Sequence, residues 1–222
     1  MLKAARANLF PPFLLGLMID PKGAYTTAAA LVALVAALAR TRGPGEISGL
    51  KVLVLAGTGG VGRAAAALLA RAGATVILTS RNREPAAAAA REVGELFGAT
   101  VEPRAAPAEV DRAALTAESD IVLATGAAGV QLLARRTIES LKGPKVLADV
   151  NAVPPHGLDG VRPQDDGVEV APRVLTIGAM RIGEMKFRVE STLLKDLLTA
   201  EGPPVIDLEA ARRRAIDLLA ST

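Results

Sequence analysis

The 222-residue sequence predicts an α/β protein built on a doubly wound parallel sheet, with a short strand and helix ahead of it and helices after it. Three observations carry this. Short apolar, β-rich runs alternate with Ala-rich helical stretches, the rhythm of βαβ units. A glycine-spaced turn, Gly57-x-Gly59-x-x-Gly62, joins the first of the main runs to a helix with no breaker before Gly73. Half of the residues are hydrophobic but only 2% are aromatic, so the core must be packed from Ala, Val, Leu and Ile, as in helices laid on a sheet buried on both faces. Together they specify a Rossmann-type arrangement, whose ligand crevice lies at the carboxyl ends of the strands where the strand order reverses.

The elements follow in order. FLLGLMID, residues 13–20, reads as an isolated apolar strand, and AYTTAAALVALVAALART after it as a helix, with Thr26 or Thr27 placed to cap its start. RGPGEISG, residues 42–49, is a linker. Strands are expected over 51–56, 75–79, 100–103, 120–124 and 145–149, with helices between them. NAVPPHGLDG is a Pro/Gly loop; beyond residues 174–177 come helices over 181–199 and 207–220. The chain thereby divides at 1–41, 42–180 and 181–222.

Composition removes several chemistries. A net charge of +3, with arginines scattered and no interleaved aromatics, gives no footprint for nucleic acid. There is no cysteine and one histidine, so neither a thiol nucleophile nor a thiolate or imidazole metal site is expected. The apolar run at 28–40 is shorter than the roughly 20 residues of a membrane span and reads as a buried helix. With no signal or lipidation motif the expectation is a cytoplasmic protein.

The glycine turn, Gly57-Thr58-Gly59-Gly60-Val61-Gly62, has the spacing that makes a tight turn, admits a pyrophosphate and lets helix meet strand. The next strand ends in Ser80-Arg81-Asn82 where a ribose-reading Asp or Glu would select NAD. A hydroxyl, a backbone N–H and a guanidinium fork suit a 2′-phosphate instead, so NADP is expected. Thr125-Gly126-Ala127, after the fourth of these strands, lets backbone approach the middle of the cofactor.

The stretches MIDPKGAYTTAAA, GTGGVG with SRN, TGAAGVQLL, ADVNAVPPHGLDG and IGAMRIGEMKFRVESTLLKDLL together resemble the NAD(P)-dependent methylene-tetrahydromethanopterin dehydrogenases, including members that also use methylene-tetrahydrofolate. The resemblance runs over almost the whole chain. It implies hydride transfer between a one-carbon-loaded tetrahydropterin and NADP, with Asp20 binding the pterin or balancing its cation, Lys186 fixing a substrate carbonyl or carboxylate, and Asn151, after the fifth strand, lying beside the nicotinamide. Two departures stand out. Family members carry a further half-domain before MIDPKG, so residues 1–41 read as the remnant of a substrate domain, with a helical segment over 2–10, plus a connecting helix. Tyr25 stands where the family has a smaller polar residue.

Two other readings fit the residues: a shikimate-type NADP-dependent dehydrogenase using Lys22 with Asp20, and a truncated, non-catalytic NADP-binding module. The strand over 14–19, with too little chain ahead of it to form a sheet, is expected to be covered by a second copy in a homodimer or by a partner subunit.

Overall fold

The computed structural model describes residues 7–10 and 14–221. Its elements are β1 (Leu17–Met18), a one-turn 3-10 helix (Pro21–Gly23), α1 (Ala24–Arg42), β2 (Lys51–Leu55), α2 (Gly60–Arg71), β3 (Thr75–Ser80), α3 (Arg83–Phe97) and β4 (Glu102–Ala105). There follow α4 (Glu109–Ala117), β5 (Ile121–Ala124), α5 (Arg135–Glu139), β6 (Lys145–Asp149), β7 (Asp166–Ala171), β8 (Val174–Ile177), α6 (Ala179–Thr199), β9 (Val205–Ile206) and α7 (Leu208–Ala220). The helical segment expected over 2–10 lies for the most part outside the described residues.

Seven strands form one sheet in the order β4-β3-β2-β5-β6-β8-β7, parallel except for the last pair. The order reverses between β2 and β5, which puts the ligand crevice at the carboxyl ends of those two strands. Alternate residues of each central strand enter opposite layers: Val52 and Val54 join Ile121, Leu123, Val146 and Ala148 on one side, whereas Leu53 and Leu55 join Val122, Ala124 and Leu147 on the other. Both faces are covered, as the unbroken apolar strands require.

The five parallel strands expected from the sequence are present, with one shift. β4 pairs with β3 from Ile77↔Glu102 to Ser80↔Ala105, later than expected over 100–103. Pro103 fits there because an edge strand can spare an N–H. The antiparallel edge strand β7 went unread, since DGVEVA is too charged to look like a strand; it is held by the β7–β8 hairpin, whose turn uses Arg173 at φ 63°.

α1 packs against α2, α6, α7 and β6, and is buried on nearly every side. By length and composition the segment Pro21–Arg42 is apolar enough to cross a membrane, but here it is the central core helix. Ala28, Ala29 and Ala30 on α1 and Ala64 to Ala67 on α2 are all fully buried, so small side chains fill the core in which the two helices pack.

Two expectations at the start of the chain are corrected. The strand expected over 14–19 is neither long nor unpaired: Leu17 and Met18 pair in parallel with Val205 and Ile206 of the C-terminal segment. The backbone is thus covered from within the chain, and the strand by itself calls for no second subunit. Neither Thr26 nor Thr27 caps α1. Asp20 accepts the N–H groups of Tyr25 (2.7 Å) and Thr26 (3.3 Å) and the Thr26 hydroxyl (2.6 Å), while Thr27 turns its hydroxyl to the Gly23 carbonyl (2.6 Å). The carboxylate satisfies two orphan donors at once, as one hydroxyl could not.

A larger side chain at the alanine interface has nowhere to go. Ala65→Leu is expected to destabilise the protein by about 1–3 kcal/mol through overpacking, read as a lower thermal midpoint; an unchanged midpoint would show that α1 and α2 have slack between them.

Candidate active site

The glycine turn is shaped by sterics within the chain. A Cβ on Gly62 would lie 2.5 Å from the Gly57 carbonyl oxygen and 2.6 Å from its Cα; one on Gly57 would strike Leu78 (2.8 Å) and Val54 (2.9 Å). Gly59 differs, for a Cβ there would meet nothing within 4 Å. The protein gives no internal reason for a glycine at that position, whereas close approach of a ligand does.

The turn is also pinned from beneath. Ala56, at φ 52°, donates its N–H to the Thr79 hydroxyl (3.2 Å), Gly57 donates to the Thr79 carbonyl (2.9 Å), and Arg63 holds the Thr58 carbonyl (2.8 Å) while pairing with Glu92 (3.2 Å). These three supports were missed by sequence reasoning. A buried Thr at the end of a strand was the available signal for Thr79; nothing local marks Arg63.

Thr58, Gly59, Ser80, Arg81, Thr125, Gly126 and Ala127 line one cleft of about 510 Å³, completed by Ala56, Val130 and Leu132. Gly57, Gly60, Val61 and Gly62 build the turn behind it. Asn82 sits at the start of α3, exposed and without a side-chain cap bond. Among the lining residues Arg81 alone is charged; it is exposed and makes no ion pair or hydrogen bond among the described residues. The rim thus presents a hydroxyl and a spare guanidinium at the end of β3.

The far wall hangs on two carboxylates. Glu109 on α4 accepts from the Ala134 N–H (3.0 Å) and the Thr137 hydroxyl (2.9 Å), which hold its carboxyl below the usual range, and Arg112 donates to the Leu132 carbonyl (2.7 Å). Asp149, at the end of β6 and 1% exposed, accepts from the N–H of Asn151 (2.9 Å) and of Leu158 (2.8 Å). Burial pushes its carboxyl up, against the downward pull of those N–H groups and of His156. Asn151 in turn donates its Nδ2 to the carbonyls of Gly126 (3.3 Å) and Ala127 (3.1 Å), joining its loop to the cleft wall.

The two expected substrate-side residues lie near the turn. A Cβ on Gly60 would be 3.0 Å from the Ala24 Cβ, so the start of α1 abuts the start of α2. Gly23, immediately before it, is covered by Lys186, whose Cε lies 3.5 Å and Nζ 3.8 Å from a Cβ built there. The start of α6 is tied to the loop before β7, where Gly178 and Met180 each donate an N–H (2.8 Å), to the carbonyls of Asp165 and Pro163. Lys186 is ion-paired with Glu190, and Asp20 spends both oxygens on α1. Tyr25 stacks edge-on against Phe97 (5.8 Å, 68°), and burial raises its phenol pKa. Lys22, at φ 55°, is exposed.

Comparison with known proteins agrees with this geometry. Residues 50–132 match the short chain dehydrogenase family model. Among solved structures, quinate dehydrogenase from Corynebacterium glutamicum in complex with NAD superposes with a TM-score of 0.53 at 17% identity, over 87% of this chain and 62% of that one. The Sinorhizobium meliloti transhydrogenase gives 0.52 at 19%, over 89% and 54%. At such identities these likenesses concern the fold, and the chain spans less than two thirds of either structure. Two proteins of Methylorubrum extorquens are similar along nearly the whole chain. The NAD(P)-dependent methylenetetrahydromethanopterin dehydrogenase is 29% identical over 98% of this chain and 74% of its own length. The bifunctional protein MdtA is 35% identical over 97% of this chain and 73% of its own length. With a dinucleotide turn of this build and an identity of that extent, the chain belongs to the family of the NAD(P)-dependent methylenetetrahydromethanopterin dehydrogenase and MdtA.

Proposed function

We propose that the chain transfers a hydride between the methylene group of a one-carbon-loaded tetrahydropterin, tetrahydromethanopterin or tetrahydrofolate, and NADP. The observation that carries this reading is the cleft itself: an open Gly59, a rim of Ser80 and unpaired Arg81, and the start of α1 with Lys186 brought against the turn. NADP fits these residues. Gly59 leaves room for a pyrophosphate, and Ser80 and Arg81 offer donors to a 2′-phosphate with no carboxylate to repel it. When bound, the dinucleotide supplies a two-electron hydride acceptor.

The chain's own residues then have a small chemical task. Loss of hydride from a carbon between two nitrogens leaves a cation spread over both, so no proton has to be taken and no general base is needed. This suits a cleft whose lining residues include neither His nor a carboxylate. The protein must align the reacting carbons and exclude competing orientations. The pinned turn and the Asn151 loop supply rigidity on the dinucleotide side. On the substrate side, Lys186 can hold a carbonyl or carboxylate of the pterin, and Asp20 acts by fixing the first turn of α1.

Titration should show tighter binding of NADP than of NAD. An Arg–phosphate contact contributes about 1.5–3 kcal/mol, or roughly tenfold or more in affinity. Arg81→Asp is expected to abolish or invert the preference, and equal affinities in the unmodified protein would refute the assignment. Gly59→Ala should weaken NADP binding while leaving the thermal midpoint unchanged, whereas Gly62→Ala should lower both, because only the second meets backbone in the folded chain.

Anaerobic spectroscopy of nicotinamide reduction, with methylene-tetrahydromethanopterin and methylene-tetrahydrofolate in turn, tests the reaction. His156→Ala should retain most of the rate, since no base is called for. A thousandfold loss with NADP affinity intact would overturn the base-free mechanism.

A further inference from the structure

Asp149 is a buried carboxylate for which hydride transfer has no direct use. Its oxygens accept from N–H groups on either arm of one loop, Asn151 on Oδ1 (2.9 Å) and Leu158 on Oδ2 (2.8 Å), with the Gly157 N–H also turned toward the carboxylate. A Cβ on Gly157 would sit 3.1 Å from both oxygens, so the loop closes around the carboxylate with glycine at the tightest point. Asn151, held this way, spends both Nδ2 hydrogens on the carbonyls of Gly126 and Ala127, two residues of the cleft wall. Its Oδ1 takes no hydrogen bond among the described residues. With the N–H and Nδ2 of Asn151 engaged, its amide oxygen, with two lone pairs, is left as an acceptor next to the Gly126–Ala127 wall. Ligand groups that match such an acceptor are N–H donors, and in a nicotinamide dinucleotide the carboxamide NH₂ is one.

We propose that Asp149 is a positioning residue: by gripping both arms of the 151–158 loop it holds Asn151 so that its carboxamide oxygen receives the nicotinamide carboxamide, favouring the nicotinamide half of the cofactor over the adenosine half. The inference rests on the dinucleotide reading above. It separates the cleft into two regions, with adenosine phosphate at Gly59, Ser80 and Arg81 and nicotinamide at the Asp149–Asn151 pair.

Calorimetry with two ligands distinguishes the two regions. NADP reports on the whole cleft, and adenosine 2′,5′-bisphosphate reports only on the adenosine side. Asp149→Ala is expected to weaken NADP at least about tenfold, the size of a lost hydrogen bond to a fixed acceptor, with the bisphosphate affinity unchanged within about twofold. Asn151→Ala should do the same, and the double variant should be no weaker than either single one, because the first residue acts through the second. Asp149→Asn, which keeps one of the two acceptors, should fall between; if Asp149→Ala does not fold, the same cycle is run with Asp149→Asn. Equal losses for both ligands, additive losses in the double variant, or unchanged NADP affinity would each overturn the proposal. If the unmodified protein bound neither ligand, the dinucleotide reading itself would fall and this inference with it; binding of the bisphosphate without any gain from the nicotinamide half would remove only the inference.

Discussion

The structure depends on the closure of Gly57 against Gly62. No side chain fits between them, so the chain leaves β2, turns within the space of a backbone, and enters α2 with its N-terminus aimed at the cleft. That single contact sets where the free N–H groups of α2 point, and a helix N-terminus is a ready site for phosphate. It also fixes Gly60, against which Ala24 packs, and so determines where α1 begins. The start of α1 is thus positioned from the glycine turn, through one alanine and one glycine.

Carboxylates do most of the remaining positioning, and they work on backbone. Asp20 caps α1, Glu109 holds the loop ahead of α5, Asp149 closes the 151–158 loop, and Asp165, with no exposed surface, takes the Thr176 hydroxyl (2.9 Å) and the N–H of Arg162 (3.0 Å). Each satisfies N–H groups that a helix start or a loop would otherwise leave unpaired. Cleft-forming loops between parallel strands have no ladder of their own, so the charge-assisted bonds to these acids replace it.

The alanine-built core is the other side of the same economy. With few aromatics, α1 can approach α2, α6 and α7 closely and still lie on the sheet. This places Lys186 of α6 over Gly23 and draws the last helix, α7, against the first long one. The N- and C-terminal segments are then tied by the β1–β9 pair. That pair is complete within the chain, although Leu14 and Leu15 beside it remain exposed.

Much of this was legible in the sequence, because it is local. The Gly57 to Gly62 spacing states its own sterics; the apolar runs of β2, β3, β5 and β6 declare a sheet buried on both sides; Ser80-Arg81 closes a strand with a hydroxyl and a guanidinium and no acid. Thr125, Gly126 and Ala127 could be expected at the cleft because the ends of parallel strands converge by topology, and they line it; Asn151 joins it only through the Gly126 and Ala127 carbonyls. What the tertiary structure decided involves residues far apart in the chain or groups that a sequence cannot assign to backbone. Residue 17 pairs with residue 205, Lys186 covers Gly23, and β7 exists only because β8 offers it an edge. Asp20 and Asp149 look alike as letters. Only the fold shows that one caps a helix and the other grips a loop, since a carboxylate's role is set by which N–H groups the backbone brings to it.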